Sequence, residues 1–430
     1  MTRPALVRSL AVVAVASLAL AACSSSNTST SSSASGSASA NSGPMILQTV
    51  LPQTGSLAFL GPPEFAGVKL AVQEINAAGG VLGAPVQALI GDSGDAKTNT
   101  ASTTVDSGLS KNATTFIGAA SSSVTRAIYK KITGAGAVQI SPANTAIDLT
   151  SINDNGLYWR TAPPDVFQGA VLGALASKDQ RKSVGVIALS DIYGDGLAKA
   201  FSDNFTANGG AIAGGKVISY DPKAAEFSSE VGQLKATNPD SILLIGFDES
   251  LKIVNEMIKQ GIGPNKVPLY LVDGNLSNTL YAGLPQGIMQ GTKGTTPGAQ
   301  VQASFKASML QIDPALKDFN YGPESYDAVN LAALAAQAAK SVAGKDIAAN
   351  LVAVSSGGEK CNTFDQCNQL LQAGKDIDYD GQSGPIDFDK NGDPTAAAMG
   401  IYSYGGDNKA VPLNFVTGVV PPVPSVTPTS

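Results

Sequence analysis

Residues 46–83 begin with Ile46-Leu47-Gln48-Thr49-Val50, pass through a Pro- and Gly-containing loop, and then place Phe65, Val68, Val72 and Ile75 at helical spacing before Gly79-Gly80. A β-rich run of five residues predicts a buried strand, and the change to a repeat of three and four predicts an amphipathic helix that the glycine pair ends. A strand, a loop and a helix in that order form the first half of a βαβ unit, so a parallel sheet covered by helices is the expected architecture.

The same alternation continues outward from this unit. Strands are expected at Thr115–Gly118, Ala137–Ile140, Ser183–Leu189, Lys216–Ser219, Ser241–Ile245 and Pro268–Val272. Helices are expected after Ser121-Ser122-Ser123 to about Ile132, and over Gly196–Ala207, Phe227–Ala236, Glu249–Gln260 and Tyr326–Ser341. Two such blocks with no low-complexity linker between them predict two similar α/β lobes, with the last helix packed back on the first lobe.

The two ends carry a different signal. Arg3 and Arg8 precede an uncharged apolar run from Leu10 to Ala22, which reads as a secretory signal peptide over 1–22. That run is too short for a comfortable membrane span. Leu20-Ala21-Ala22-Cys23 is similar to the lipobox of bacterial lipoproteins, which implies a lipid on Cys23 and a location on the outer face of the bacterial cell membrane. The Ser-, Ala- and Thr-rich residues that follow bury too little apolar surface to offset chain entropy, so 23–44 is expected to be a flexible tether. A Pro-rich tail is expected over 419–430.

Composition removes several function classes. The chain has no histidine, which excludes Ser-His-Asp hydrolysis, Cys-His proteolysis and His-ligated metals. Its net charge of −6 disfavours a nucleic-acid partner. No Gly-x4-Gly-Lys-Ser/Thr loop, GxGxxG motif or Gly-x-Ser-x-Gly turn is present, so neither an enzyme nor a cofactor is expected. With Cys23 assigned to lipid, Cys361 and Cys367 remain, an even pair in an exported chain and therefore an expected local disulfide.

Glu74-Ile75-Asn76-Ala77-Ala78-Gly79-Gly80-Val81-Leu82-Gly83, with Gly55 and the helix start at Glu64-Phe65-Ala66-Gly67, resembles the branched-chain amino acid binding family of type I periplasmic binding proteins. Ile117-Gly118 with its serine cluster, Ile140 to Thr145, Asp191-Ile192-Tyr193-Gly194, Asp273-Gly274-Asn275 and Ser325-Tyr326-Asp327-Ala328 extend the resemblance over nearly the whole mature chain. It implies two Rossmann-like lobes joined by a hinge and closing on a ligand, a Venus-flytrap architecture. By analogy the first lobe spans 45–163 and 293–380, and the second 164–292 and 381–418.

The ligand-binding set follows from chemistry and resemblance together. Ser121 and Ser122 stand where a strand passes into a helix, and their hydroxyls, the free N–H groups and the helix dipole favour a carboxylate. The resemblance implies that Ser121 takes that carboxylate, that the Ala143 carbonyl and the Thr145 hydroxyl reach the α-ammonium and carboxylate, and that Tyr193 covers the ligand from the second lobe. Asp273 is the expected acidic partner of the ammonium, with Asp248 as the other candidate. Leu60, beside Phe59, and Phe247 fall on positions that line the side-chain pocket.

Asp376, Asp378, Asp380, Gly381 and Asp387 imitate the start of an EF-hand loop. The last position holds Asp where a bidentate Glu is needed, Pro385 interrupts the approach to an exit helix, and no helix pair flanks the loop. Acidic turns between strands of the second lobe are the expected account, and no metal is expected. The functional expectation is an extracytoplasmic solute-binding lipoprotein of an ABC importer, a monomer that delivers a small amino-acid-like ligand, most simply a branched-chain amino acid, to permease and ATPase subunits in trans. The alternatives are a ligand-sensing lipoprotein not coupled to transport and a receptor for amides, urea or aromatic acids.

Overall fold

The computed structural model of the chain describes residues 43–424. The expected signal segment, Cys23, all but the last two residues of the tether, and the final six residues of the tail lie outside the described residues.

The first lobe opens with β1 (Ile46–Val50), α1 (Gly61–Ala77), β2 (Gln87–Leu89), α2 (Thr100–Ser110), β3 (Thr115–Gly118), α3 (Ser122–Gly134), β4 (Val138–Ser141) and β5 (Tyr158–Arg160). Its strands form a parallel sheet in the order β2-β1-β3-β4-β5. The chain then crosses into α4 (Asp165–Lys178), β6 (Ser183–Leu189), α5 (Ile192–Ala207), β7 (Ala211–Ile212), β8 (Ile218–Tyr220), α6 (Ser228–Ala236), β9 (Ser241–Ile245), α7 (Ser250–Lys259), β10 (Leu269–Leu271) and β11 (Lys293–Pro297). It returns through α8 (Ala303–Ile312), α9 (Gly322–Ala339), α10 (Gly344–Ser355), β12 (Glu359–Cys361), α11 (Phe364–Gln372) and β13 (Ile377–Tyr379), and finishes with β14 (Ala396–Tyr404) and β15 (Ala410–Val419). The second sheet runs β15-β14-β11-β10-β9-β6-β7, with β8 also on β6; β14 joins β11 and β15 antiparallel and the other neighbours are parallel.

Two of the expected boundaries differ. β11 pairs with β10 through Tyr270↔Lys293 and with β14 along its whole length, so it belongs to the second sheet, and the chain leaves that lobe after Pro297 instead of at 293. The acidic segment after β13 belongs to the first lobe. Ile386 and Phe388 are buried in the same core as α1 and α9, and the backbone N–H groups of Gln382 and Ser383 donate to the Asp327 carboxylate on α9. These turns are therefore not between strands of the second lobe, and the last crossing falls in the residues just before β14.

α9 is buried over most of its length between α1 and α10, and glycine allows its start to approach α1 closely. A Cβ on Gly67 would stand 2.1 Å from the Gly322 carbonyl oxygen, so the contact is possible only without a side chain there. Cys361 and Cys367 are joined, closing a loop with a sequence separation of 6 between β12 and α11.

Candidate functional site

Ligands of open parallel sheets bind beyond the carboxyl ends of the strands, and here those ends from both lobes face one another. The loop after β1 contributes Leu57 and Leu60, the β3–α3 junction Ala120, Ser121 and Ser122, and the turn after β4 Ala143 and Thr145. From the second lobe come Tyr193 at the start of α5, Phe247 after β9, and Asp273 and Gly274 after β10. Tyr321, just ahead of α9, completes the lining. All eight residues expected from the sequence, Leu60, Ser121, Ser122, Ala143, Thr145, Tyr193, Phe247 and Asp273, thus line one small cavity. Asp248 does not; it lies in the wider cleft outside, with Asp95 and Lys97.

Two ends of different polarity define this cavity. At one end α3 begins, with Ser121 as its N-cap accepting the Val124 N–H at 3.4 Å. The capping bond is long, and the first turn of the helix keeps N–H groups directed at the cavity end. Ser122 is buried and accepts the Ala146 N–H at 3.3 Å, which ties the serine cluster to the turn after β4. At the other end Asp273 is buried and receives the Tyr193 hydroxyl on one oxygen at 2.7 Å and the Tyr321 hydroxyl on the other at 2.6 Å. Burial raises its pKa, and the tyrosine bonds oppose that rise without cancelling it. The Tyr193 ring stacks on Phe247 with centroids 5.6 Å apart and planes 11° from parallel, forming an aromatic wall.

A second acid, not expected from the sequence, stands beside the first. Asp165 is fully buried at the start of α4, and neither of its carboxylate oxygens makes a hydrogen bond among the described residues. Its pKa is raised well above the ordinary range, first by burial and then by Asp273; the neighbouring Thr145 hydroxyl works the other way but is not aligned as a hydrogen bond. The nearest guanidinium is already committed. Arg160 pairs with Asp393 at 2.7 Å and donates to the Ala146 carbonyl at 2.8 Å, so it holds the turn carrying Thr145, and its charge opposes the rise in the Asp165 pKa without cancelling it.

Several bonds hold the lobes together around this space, among them Tyr321 to Asp273, Ser123 Oγ to Asp191 at 2.9 Å, the Asp248 N–H to the Ser56 carbonyl at 3.3 Å and Asn320 Nδ2 to the Leu276 carbonyl at 2.9 Å. The structure is therefore the closed form of a two-lobed cleft. Tyr321 escaped the sequence reading because it lies between elements, in a left-handed conformation at φ 61° that no periodicity reports.

Residues 49–408 match the family model described as Periplasmic binding protein, and the chain belongs to that family. It is 25% identical over 375 residues to Leu/Ile/Val-binding protein homolog 3 of Brucella melitensis, covering 85% of this chain and 92% of that one. Among solved structures it superposes on the branched-chain amino acid transporter substrate-binding protein LivJ of Streptococcus pneumoniae, in complex with isoleucine, with a TM-score of 0.69 and 22% identity over 86% of this chain and 100% of that chain. A solute-binding protein of an ABC transporter from R. palustris, in complex with benzoate, gives a TM-score of 0.69 at 20% identity over 87% and 96%. The chain is accordingly an extracytoplasmic solute-binding protein of the type I periplasmic class, not an enzyme. No helix among the described residues is long and apolar enough to cross a membrane.

Proposed function

We propose that the chain is the substrate-binding component of an ABC importer and that it closes on a zwitterionic amino acid with an aliphatic side chain. The observation that carries this reading is the pairing of a helix N-terminus bearing serines with the buried Asp273 carboxyl across one small cavity, with the unpartnered Asp165 carboxyl behind it. A buried carboxylate without a cation is costly, and a ligand ammonium at Asp273 supplies the missing charge, felt by the neighbouring Asp165 as well, while its carboxylate meets Ser121, Ser122 and Thr145. Leu57, Leu60, Ala120 and Phe247 leave an apolar wall for the side chain, consistent with the Leu/Ile/Val-binding relative. In the same reading Cys23 carries a lipid, and permease and ATPase subunits act in trans.

A receptor for aromatic acids is the second reading, favoured by the likeness to the benzoate-bound protein and by the Tyr193–Phe247 wall. An aromatic carboxylate has no cation to offer the two acids, which is why the amino acid is preferred. A thermal-shift screen of protein refolded to strip carried ligand separates the two, since a ligand of the native state raises the melting temperature by mass action. Leucine, isoleucine or valine should raise it, and a Ser121→Ala/Thr145→Ala variant should lose the shift. A response to benzoates alone would replace the amino-acid reading with the aromatic one, and no response from any of these would remove both.

A further inference from the structure

We infer that the first lobe carries a divalent-cation site, suited to calcium, formed by Asp378, Asp380 and Asp387. The sequence spacing argued against an EF-hand, and the structure does not form one. It brings the three acids together by a different route. Asp378 and Asp380 lie on β13 and just past it, where the Asp380 N–H donates to the Cys361 carbonyl of the disulfide-bearing β12. The chain then doubles back through the Gly381–Gly384 bridge, so that Asp387 returns beside them. One carboxylate oxygen from each of the three lies within 4.8 Å of the others.

Two oxygens of this cluster are buried without partners, although the Asp378 Oδ2 accepts from Lys360 and from the Gly357 N–H. Asp378 is 7% exposed, and its Oδ1 accepts no hydrogen bond among the described residues. Asp387 Oδ1 is likewise buried and unpartnered. No N–H is aimed at these oxygens, and a bound cation would satisfy both.

The only cation in the cluster among the described residues is Lys360, whose Nζ lies 2.9 Å from Asp378 Oδ2 and 3.0 Å from Asp380 Oδ1. One positive charge faces three carboxylates. The Lys360 side chain is 58% exposed, so it can swing into water at little cost when a stronger cation arrives. Geometry selects the ion. Calcium accepts carboxylate oxygens at about 2.3–2.6 Å, which lets two ligands stand about 5 Å apart across it, whereas magnesium at about 2.0–2.1 Å draws opposite ligands to within about 4.2 Å. Oxygens within 4.8 Å of one another can reach calcium without drawing together as far as magnesium requires, with backbone carbonyls or water completing its shell. Bound there, calcium would tie β13 to the segment that runs on from Asp387, whose carbonyl accepts the Thr395 N–H at 2.8 Å, to the crossing into β14.

The test titrates calcium chloride into EGTA-treated, desalted full-length protein by calorimetry, up to about 5 mM to cover the weak end of protein calcium sites, about 10⁻⁴–10⁻³ M, and follows the melting temperature in parallel. A one-site isotherm with a raised melting temperature is expected, with magnesium binding at least about tenfold more weakly. Asp387→Asn and, independently, Asp380→Asn should each abolish or weaken binding at least about tenfold, and Lys360→Gln should tighten it by removing the internal competitor. Absence of heat and of any thermal shift in the folded wild type would overturn the site. So would a calcium response that persists unchanged in both acidic variants.

Discussion

Asp165→Asn should move stability and binding in opposite directions. In the folded protein without ligand, burial and Asp273 hold the Asp165 pKa well above its ordinary range. The native state therefore keeps a proton that the unfolded chain releases above about pH 3.9, and the contribution of this group to stability falls as pH rises. The loss is at most about 1.4 kcal/mol per pH unit over the range in which the native state alone keeps the proton. Asparagine keeps the shape and removes that loss, and gives up the favourable position of an acid in the first turn of α4, worth about 0.3–1 kcal/mol. The ligand-free variant should thus be more stable than wild type at pH 7, with the gain shrinking towards pH 4. Binding of an amino acid should weaken, because a charge-assisted hydrogen bond is worth about 1.5–3 kcal/mol, or about ten- to 150-fold in affinity. Denaturant melts across pH and calorimetric titration with leucine read the two effects. A ligand-free variant less stable than wild type at pH 7, together with unchanged affinity, would refute the assignment of Asp165 to the ammonium.

Ser123→Ala removes one bond between the lobes and should lower ligand affinity by about two- to tenfold through the closed population, from a hydrogen bond worth about 0.5–1.5 kcal/mol; scattering with and without ligand should show a more open average. Gly67→Ala puts a methyl group 2.1 Å from the Gly322 carbonyl oxygen and should destabilise the first lobe by about 1–3 kcal/mol, where an ordinary helix interior would gain from the change. Ligand affinity should be little altered in the folded fraction, since Gly67 does not line the cavity. Glu324, buried in the first lobe, has its pKa pushed up to about 8, first by desolvation. Its native state holds a proton that the unfolded chain loses near 4.5, so stability should fall between about pH 4.5 and 8, and Glu324→Gln should flatten that slope in pH-dependent melts.

The strands legible in the sequence are those buried on both faces. Ile46–Val50, Thr115–Gly118, Ser183–Leu189 and Ser241–Ile245 all form as continuous β-rich runs, because a parallel sheet covered by helices on each side demands them. α4 was hidden by its own packing. Gly169 and Gly173 weaken the helical signal, yet a Cβ on Gly169 would stand 2.6 Å from the Ala200 backbone, so the glycine allows α4 to lie against α5. β15 was also missed, since it is an edge strand interrupted by Pro412 with Val411 and Leu413 exposed. In the cavity, the strand-to-helix junction announced Ser121, and Thr145 and Tyr193 were marked by the family resemblance alone. Asp165 did not announce itself, because it comes beside Asp273 only through packing across the chain's crossing between lobes. The acidic run after β13 was legible as residues but not as a cluster, since the return of Asp387 depends on the Gly381–Gly384 bridge.

Recognition of both charges of an amino acid within one closed cleft can be tested by removing each charge from the ligand in turn. Calorimetry on ligand-stripped protein would compare leucine with 4-methylpentanoate, which lacks the ammonium, with 3-methylbutylamine, which lacks the carboxylate, and with benzoate. Leucine should bind, and each single-charge analogue should bind at least about a hundredfold more weakly, because each leaves one end of the cavity buried and unpaired. Binding of 4-methylpentanoate or benzoate as tight as or tighter than that of leucine would contradict the account.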